Sequence, residues 1–201
     1  MVSNFPKPFG RRRHGREYSD TFSREQNLVL TRGLLALFVS AIGLMFLSTL
    51  FAELYDLPSL GPDALVFAAQ VNVIPALWLI VGIRTVSRFR YFSRKDIKGA
   101  VYAPPSRSVA VRLAFLQNTL EQSVLLALCN FVVVTLRSEQ ATAYALASVL
   151  IFTAGRMIFW ISYSGGAASR AFGMVMTMAP AIGGVSWFIA DMVAYVLNVS
   201  V

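Results

Sequence analysis

Apolar runs of about twenty residues or more recur five times along this chain, and they restrict its fold more than any other feature. They cover roughly residues 28–52, 64–83, 109–136, 141–163 and 171–198. A helix rising 1.5 Å per residue needs ~20 such residues to cross a hydrocarbon layer ~30 Å thick. Inside that layer every backbone N–H and C=O must be satisfied within the protein, which leaves helices or closed barrels. Strand-like alternation is absent, and the runs are about twice as long as a barrel strand. Charged residues make up 14% of the chain, against roughly 25% in soluble domains. The expected class is an all-α integral membrane protein with five spans. The first run is too long for a signal-peptide core and ends without a small-residue cleavage pattern, so it counts as a span.

The formal charge is +8. The basic residues flank the apolar runs, so they report membrane orientation rather than nucleic-acid binding. Residues 1–27 form a polar, basic tail, expected to be partly disordered and cytoplasmic. It holds Lys7, Arg11, Arg12, Arg13, Arg16, Arg24 and the single histidine, His14. The loop after the second span carries Arg84, Arg88, Arg90, Arg94, Lys95, Lys98 and Arg107. The other side has Arg137 beside Glu53, Asp56 and Asp63. The positive-inside rule then places the N-terminus in the cytoplasm and the C-terminus outside; the expected location is a bacterial inner membrane. The lone cysteine, Cys129, lies mid-run and reads as a small core residue. No metal-ligand cluster, phosphate-binding glycine loop or Ser-His-acid set is present.

Glu121 stands out, a carboxylate inside the apolar stretch "RLAFLQNTLEQSVLLALCNFVVVTL". An isolated charge at that depth costs several kcal/mol, so such residues pair or line a wet cavity. The third and fourth spans are joined by the short turn "RSEQ", residues 137–140, which makes them an antiparallel hairpin. Glu121 and Arg156 lie equally far before and after the midpoint of that turn. Equal rise puts them at one depth, and the expectation is an ion pair between them. Asn118 shares a helix face with Glu121. Tyr163 follows Arg156 by seven residues and Arg170 follows Tyr163 by seven. Polar groups therefore converge at the cytoplasmic end, with Arg112, Arg156 and Arg170 outnumbering the carboxylate. That imbalance suits an anionic ligand.

"NTLEQ" (residues 118–122) and "GRMIFWISYSGGAASRAFG" (residues 155–173) together resemble the MAPEG family, membrane-associated proteins in eicosanoid and glutathione metabolism. The resemblance covers residues 64–199. It implies a four-helix transmembrane domain there, to which residues 28–52 add one N-terminal transmembrane helix. It also implies a homotrimer that binds glutathione as co-substrate between subunits and activates its thiol toward a lipophilic small molecule. By position, Asn118 and Glu121 would hold the glutathione backbone and amino group. Arg156 would pair with Glu121 or bind a carboxylate, Tyr163 would contact the peptide, and Arg170 would stand near the thiol as the catalytic cation. Arg112 is the nearest arginine to Ala114, where glutathione-using members usually carry Arg. The expected function is a microsomal glutathione transferase-like enzyme, a transferase or peroxidase for lipophilic electrophiles. The alternative is a non-catalytic lipid-binding or scaffold protein of the same fold. Its expected partners are membrane lipid and further copies of itself.

Overall fold

The computed structural model describes residues 11–59, 61–99 and 102–199, with side chains from residue 22 to residue 197. Among the described residues there are helices and no strands. Helix α1 spans Arg11–Leu54, α2 Gly61–Val71, α3 Val73–Tyr91, α4 Arg107–Val133, α5 Glu139–Ser162 and α6 Ala167–Val199. Five helical stretches are long and apolar enough to cross a membrane: Phe22–Leu54, Gly61–Tyr91, Arg107–Leu136, Glu139–Gly165 and Ala167–Leu197. The protein is an all-helical, multi-pass membrane bundle. The basic segment from Arg11 onward continues the first span as helix rather than forming an irregular tail; residues 1–10 lie outside the described residues.

The second span is made of two helices, because Pro75 has no N–H to donate to the carbonyl one turn back. The interruption falls at Asn72, between α2 and α3. Its side chain is taken into the bundle: Asn130 Nδ2 donates to Asn72 Oδ1 at 2.8 Å, and Ser148 Oγ donates to Asn130 Oδ1 at 2.9 Å.

The turn between the third and fourth spans is tight. A 3₁₀ turn over Val134–Leu136 ends α4, and Arg137 closes it with φ 55°. Ser138 then caps α5, its Oγ accepting from the backbone N of Ala141 at 3.1 Å, which satisfies one of the orphan donors of the first turn. The α4–α5 hairpin has the form read from the sequence.

Helices α5 and α6 approach backbone to backbone. A Cβ on Gly155 would lie 2.7 Å from Thr177 Cγ2 and 2.9 Å from the Thr177 backbone N. A Cβ on Gly173 would lie 2.7 Å from Phe159 Cα. Small residues at a crossing let membrane helices close to van der Waals distance. Helix α1 packs on this pair, burying Ala36, Ser40, Leu44 and Ser48, an i, i+4 row along one face. Its Arg32 Nη1 donates to the carbonyl of Ala168 at 2.8 Å, at the start of α6.

Candidate functional site

The site residues fall into three places, all toward the ends of α3, α4 and α5 that carry the basic loop. The innermost is Arg156. Its side chain is fully buried. Nη1 donates to Asn118 Oδ1 at 3.0 Å and to Thr119 Oγ1 at 3.2 Å, and Nη2 donates to Thr177 Oγ1 at 2.6 Å. The guanidinium carbon sits 4.8 Å from the Phe159 ring centroid and 5.4 Å from that of Phe152. The aromatic faces and the neutral oxygens share the cost of keeping this cation from water. Nε is buried without an acceptor. The close crossing at Gly155 and Gly173 is what brings Thr177 of α6 within reach of α5.

The expected Glu121–Arg156 pair is not formed. Glu121 is exposed and its Oε1 accepts from Gln117 Nε2, one turn back on the same helix, at 2.9 Å. Among the described residues Arg156 has no carboxylate partner. Equal depth was a sound inference, since Asn118 is one turn from Glu121. Azimuth overturned the pairing. The inward face of α4 carries Phe115, Thr119, Gln122, Ser123 and Leu126. At 100° per residue Glu121 lies about 140° from the centre of that face. Glu121 therefore stands on the outer face of α4, among exposed Leu120, Val124, Leu125 and Leu128.

The third place is a cleft of about 510 Å³ lined by Gly82, Thr85, Arg107, Ser108, Val111, Arg112, Phe115, Trp160, Tyr163 and Ser164. Its walls are aromatic. Phe115 packs edge-on against Trp160, with centroids 4.6 Å apart, and against Tyr163 at 5.8 Å. Arg112 is fixed at its edge, the guanidinium 3.2 Å over the Phe89 ring and Nη1 donating to the Ser108 carbonyl at 2.6 Å. Tyr163 ends α5 and begins a 3₁₀ turn over Tyr163–Gly165, which Gly166 leaves at φ 93°. That conformation favours glycine. The turn brings Arg170, in the first part of α6, over Tyr163 at 5.4 Å from its ring. So Tyr163 and Arg112 line the cleft, Arg170 stacks on the Tyr163 ring, Arg156 is sealed in the bundle and Glu121 faces outward.

A model of the MAPEG family matches residues 64–190, more than half of the chain. The chain belongs to the MAPEG family. Comparison with curated proteins and with solved structures returns no match. As a MAPEG protein it is a helical membrane bundle whose relatives serve eicosanoid and glutathione metabolism in general, and α1 precedes the matched region. The MAPEG-like residues quoted above sit on α4, on α5 and at the start of α6, the elements that build the buried cluster and the cleft.

Two features escaped the sequence reading. Thr119 and Thr177 complete the Arg156 cluster; the signal was the small pair Gly155 and Gly173, which marks a close crossing. Asp96 is the second. It is buried in the loop before α4, where Ser93 Oγ donates to one carboxylate oxygen and the backbone N of Ser106 donates to the other at 2.7 Å. The Ser93 hydroxyl and the Ser106 amide hold its pKa below the ordinary 3.8. It ties the basic loop to the first residue before α4. Cys129 is buried, as its place in the middle of an apolar run suggested, and its Sγ lies 3.4 Å from the Ala181 carbonyl. Among the described residues no group of His, Cys, Asp and Glu could hold a metal.

Proposed function

We propose that this MAPEG protein is a glutathione-dependent transferase or peroxidase that acts on lipophilic electrophiles as a homotrimer. The observation that carries the reading is Arg170 held over the ring of Tyr163, which itself lines an apolar cleft. A free thiol with pKa near ~8.5 is mostly protonated at neutral pH, and a cation beside it favours the thiolate, the actual nucleophile. Each unit of depression corresponds to about 1.4 kcal/mol.

In this reading Arg170 stabilises the glutathione thiolate and Tyr163 contacts the peptide. Arg112, anchored on Phe89, offers its remaining N–H groups to a glutathione carboxylate. Glu121 receives the amino group. The Asn118 carbonyl oxygen is taken by Arg156, so its amide N–H groups are what remain for the peptide. Arg156 has a positioning role here: buried and bonded through Nη1 and Nη2 to Asn118, Thr119 and Thr177, it orients Asn118 rather than touching glutathione. The thiolate sulfur attacks an electrophilic carbon of a substrate seated against Phe115 and Trp160 and the leaving group departs with the bonding pair, or it attacks a peroxide oxygen, the O–O bond breaks to release the alcohol, and a second glutathione converts the sulfenic acid to disulfide and water. The basic loop borders the cleft, so the positive-inside rule turns its mouth toward the cytoplasm.

Glu121 supports the trimer. A carboxylate at this depth facing lipid is costly, and a neighbouring subunit against the outer face of α4 would cover it. The segmentation follows the same line: α1 as an added span, and residues 64–199 as the four-helix catalytic domain.

A second reading, a non-catalytic lipid-binding or scaffold protein, is favoured by Ala114. That position is exposed on α4 and supplies no charge for a glutathione carboxylate. Calorimetric titration of the detergent-solubilised protein with glutathione decides between them. Saturable binding is expected; no heat at millimolar glutathione would leave the non-catalytic reading standing.

A further inference from the structure

Beside the cleft that holds Tyr163 lies a second bay, about 760 Å³, lined by Arg84, Thr85, Ser87, Arg88, Phe89, Tyr91, Phe92 and Trp160. Nothing in the thiol chemistry uses Arg84 or Arg88. They are four apart on α3 and so project from one face. Arg112, which lines the neighbouring cleft, stacks its guanidinium 3.2 Å over the ring of Phe89, a residue of this bay. Two guanidiniums thus line this bay, and among the described residues no carboxylate does. The acidic residue of the adjoining loop, Asp96, already has both oxygens occupied, by the Ser93 hydroxyl and the Ser106 amide.

The bay lies where α3 leaves the membrane. The second span ends at Tyr91. Tyr91 and Phe92 are 71% and 76% exposed and pack edge to face with centroids 5.1 Å apart. Aromatic rings at this level belong at the border between headgroups and acyl chains, and arginine stems can run along apolar surface while their charged heads reach the phosphates. Soluble anions lack the apolar portion that the Phe89, Phe92 and Trp160 surfaces would cover. We propose that this bay binds one anionic phospholipid, its phosphodiester held by Arg84 and Arg88 with Arg112 alongside, and its acyl chain against Trp160. Guanidinium–phosphate contacts are charge-assisted and directional. A zwitterionic lipid presents the same phosphate with a cation attached, which Arg84 and Arg88 repel.

Native mass spectrometry of the full chain, extracted in neutral detergent and offered dioleoylphosphatidylglycerol, dioleoylphosphatidylcholine or inorganic phosphate, tests the assignment. The phosphatidylglycerol adduct is expected to be retained roughly tenfold better than the phosphatidylcholine adduct, the ratio that one good charged contact supplies. R84Q/R88Q is expected to lose that preference, and R94Q/K95Q, which removes the same charge from the loop outside the bay, to keep it. T85W, which fills the bay without changing charge, is expected to lose the adduct as well. Equal retention of both lipids overturns the proposal, as does equal loss in R94Q/K95Q, which would mean diffuse surface attraction. Competition by inorganic phosphate alone would mean a simple anion site. Dissociation of the oligomer in R84Q/R88Q with lipid retention unchanged would assign the bay to a second copy of the chain. Thermal melting of each variant without lipid distinguishes a lost site from a lost fold.

Discussion

Arg156 of α5 and Thr177 of α6 are joined at 2.6 Å across a crossing where the two helix backbones touch. The bond exists because two glycines, Gly155 and Gly173, let the helices touch. Charge recognition at this depth is thus set by backbone spacing, and neutral oxygens do the work that a carboxylate was expected to do.

The first prediction separates size from charge. Thr119 and Thr177 have acceptors of their own, the carbonyls of Phe115 and Met174, so losing Arg156 strands mainly Asn118. R156A leaves a cavity as well and should cost on the order of 3 kcal/mol. R156M fills the volume without a buried charge and should cost on the order of 1 kcal/mol. Thermal melts in one detergent measure both. Equal losses would mean that the cation itself holds the fold.

Glu121 makes the opposite test. Its carboxylate is exposed and bonded to Gln117 alone among the described residues. E121Q should leave the helical content and fold of each subunit intact while weakening glutathione binding or the oligomer. Circular dichroism and light scattering follow the two effects separately. Unfolding of the subunit would restore the intramolecular pair rejected above.

G173A should be severe. The added methyl would press on the Phe159 backbone, which cannot rotate away as a side chain can. Overpacking of this kind costs ~1–3 kcal/mol or more, and it should break the Arg156–Thr177 bond along with the crossing. G183A meets only the end of the Tyr144 side chain, 2.8 Å from its hydroxyl, and should be milder. A melting comparison of the two variants checks the order.

Arg170 bears on the pH profile. If it stabilises a thiolate, R170A should lose activity near neutrality and recover part of it as pH rises toward the ordinary thiol value of ~8.5. A uniform loss at all pH values would point to binding instead. Thiolate absorbance of the glutathione complex gives the same answer without turnover.

Asp96 predicts an acid limit. Its folded pKa lies below the ordinary 3.8, so its contribution is fully present above that value. It fades as pH falls below 3.8 and through the lower folded value. Hydrogen exchange in residues 93–106 should rise over that window in the parent. D96N should show the raised exchange already at neutral pH and no acid step there.

How far the sequence could be read differs by kind of information. Span number and the α4–α5 hairpin follow from hydropathy and one short turn, because the bilayer imposes length and internal hydrogen bonding. Depth along a helix could be counted, which brought Arg156 to within a turn of its partner. Facing could not be counted from Glu121 alone. It was recoverable from Thr119, Gln122, Ser123 and Leu126, whose spacing marks the inward stripe of α4. The break at Asn72 was signalled by Pro75. The Asp96 tether was not signalled, since it joins residues ten apart through a loop whose path no periodicity describes. Arg32 likewise reaches Ala168 across 136 residues, a contact that only tertiary packing creates.

That last contact bears on biogenesis. Helix α1 leaves the ribosome before α5 and α6, yet these are its packing partners. Until the final hairpin is synthesised, a row containing Ser40 and Ser48 has only lipid or the insertion machinery to face. For these three helices the order of translation and the order of assembly therefore run in opposite directions, and α1 waits in the bilayer for the seat that α5 and α6 provide.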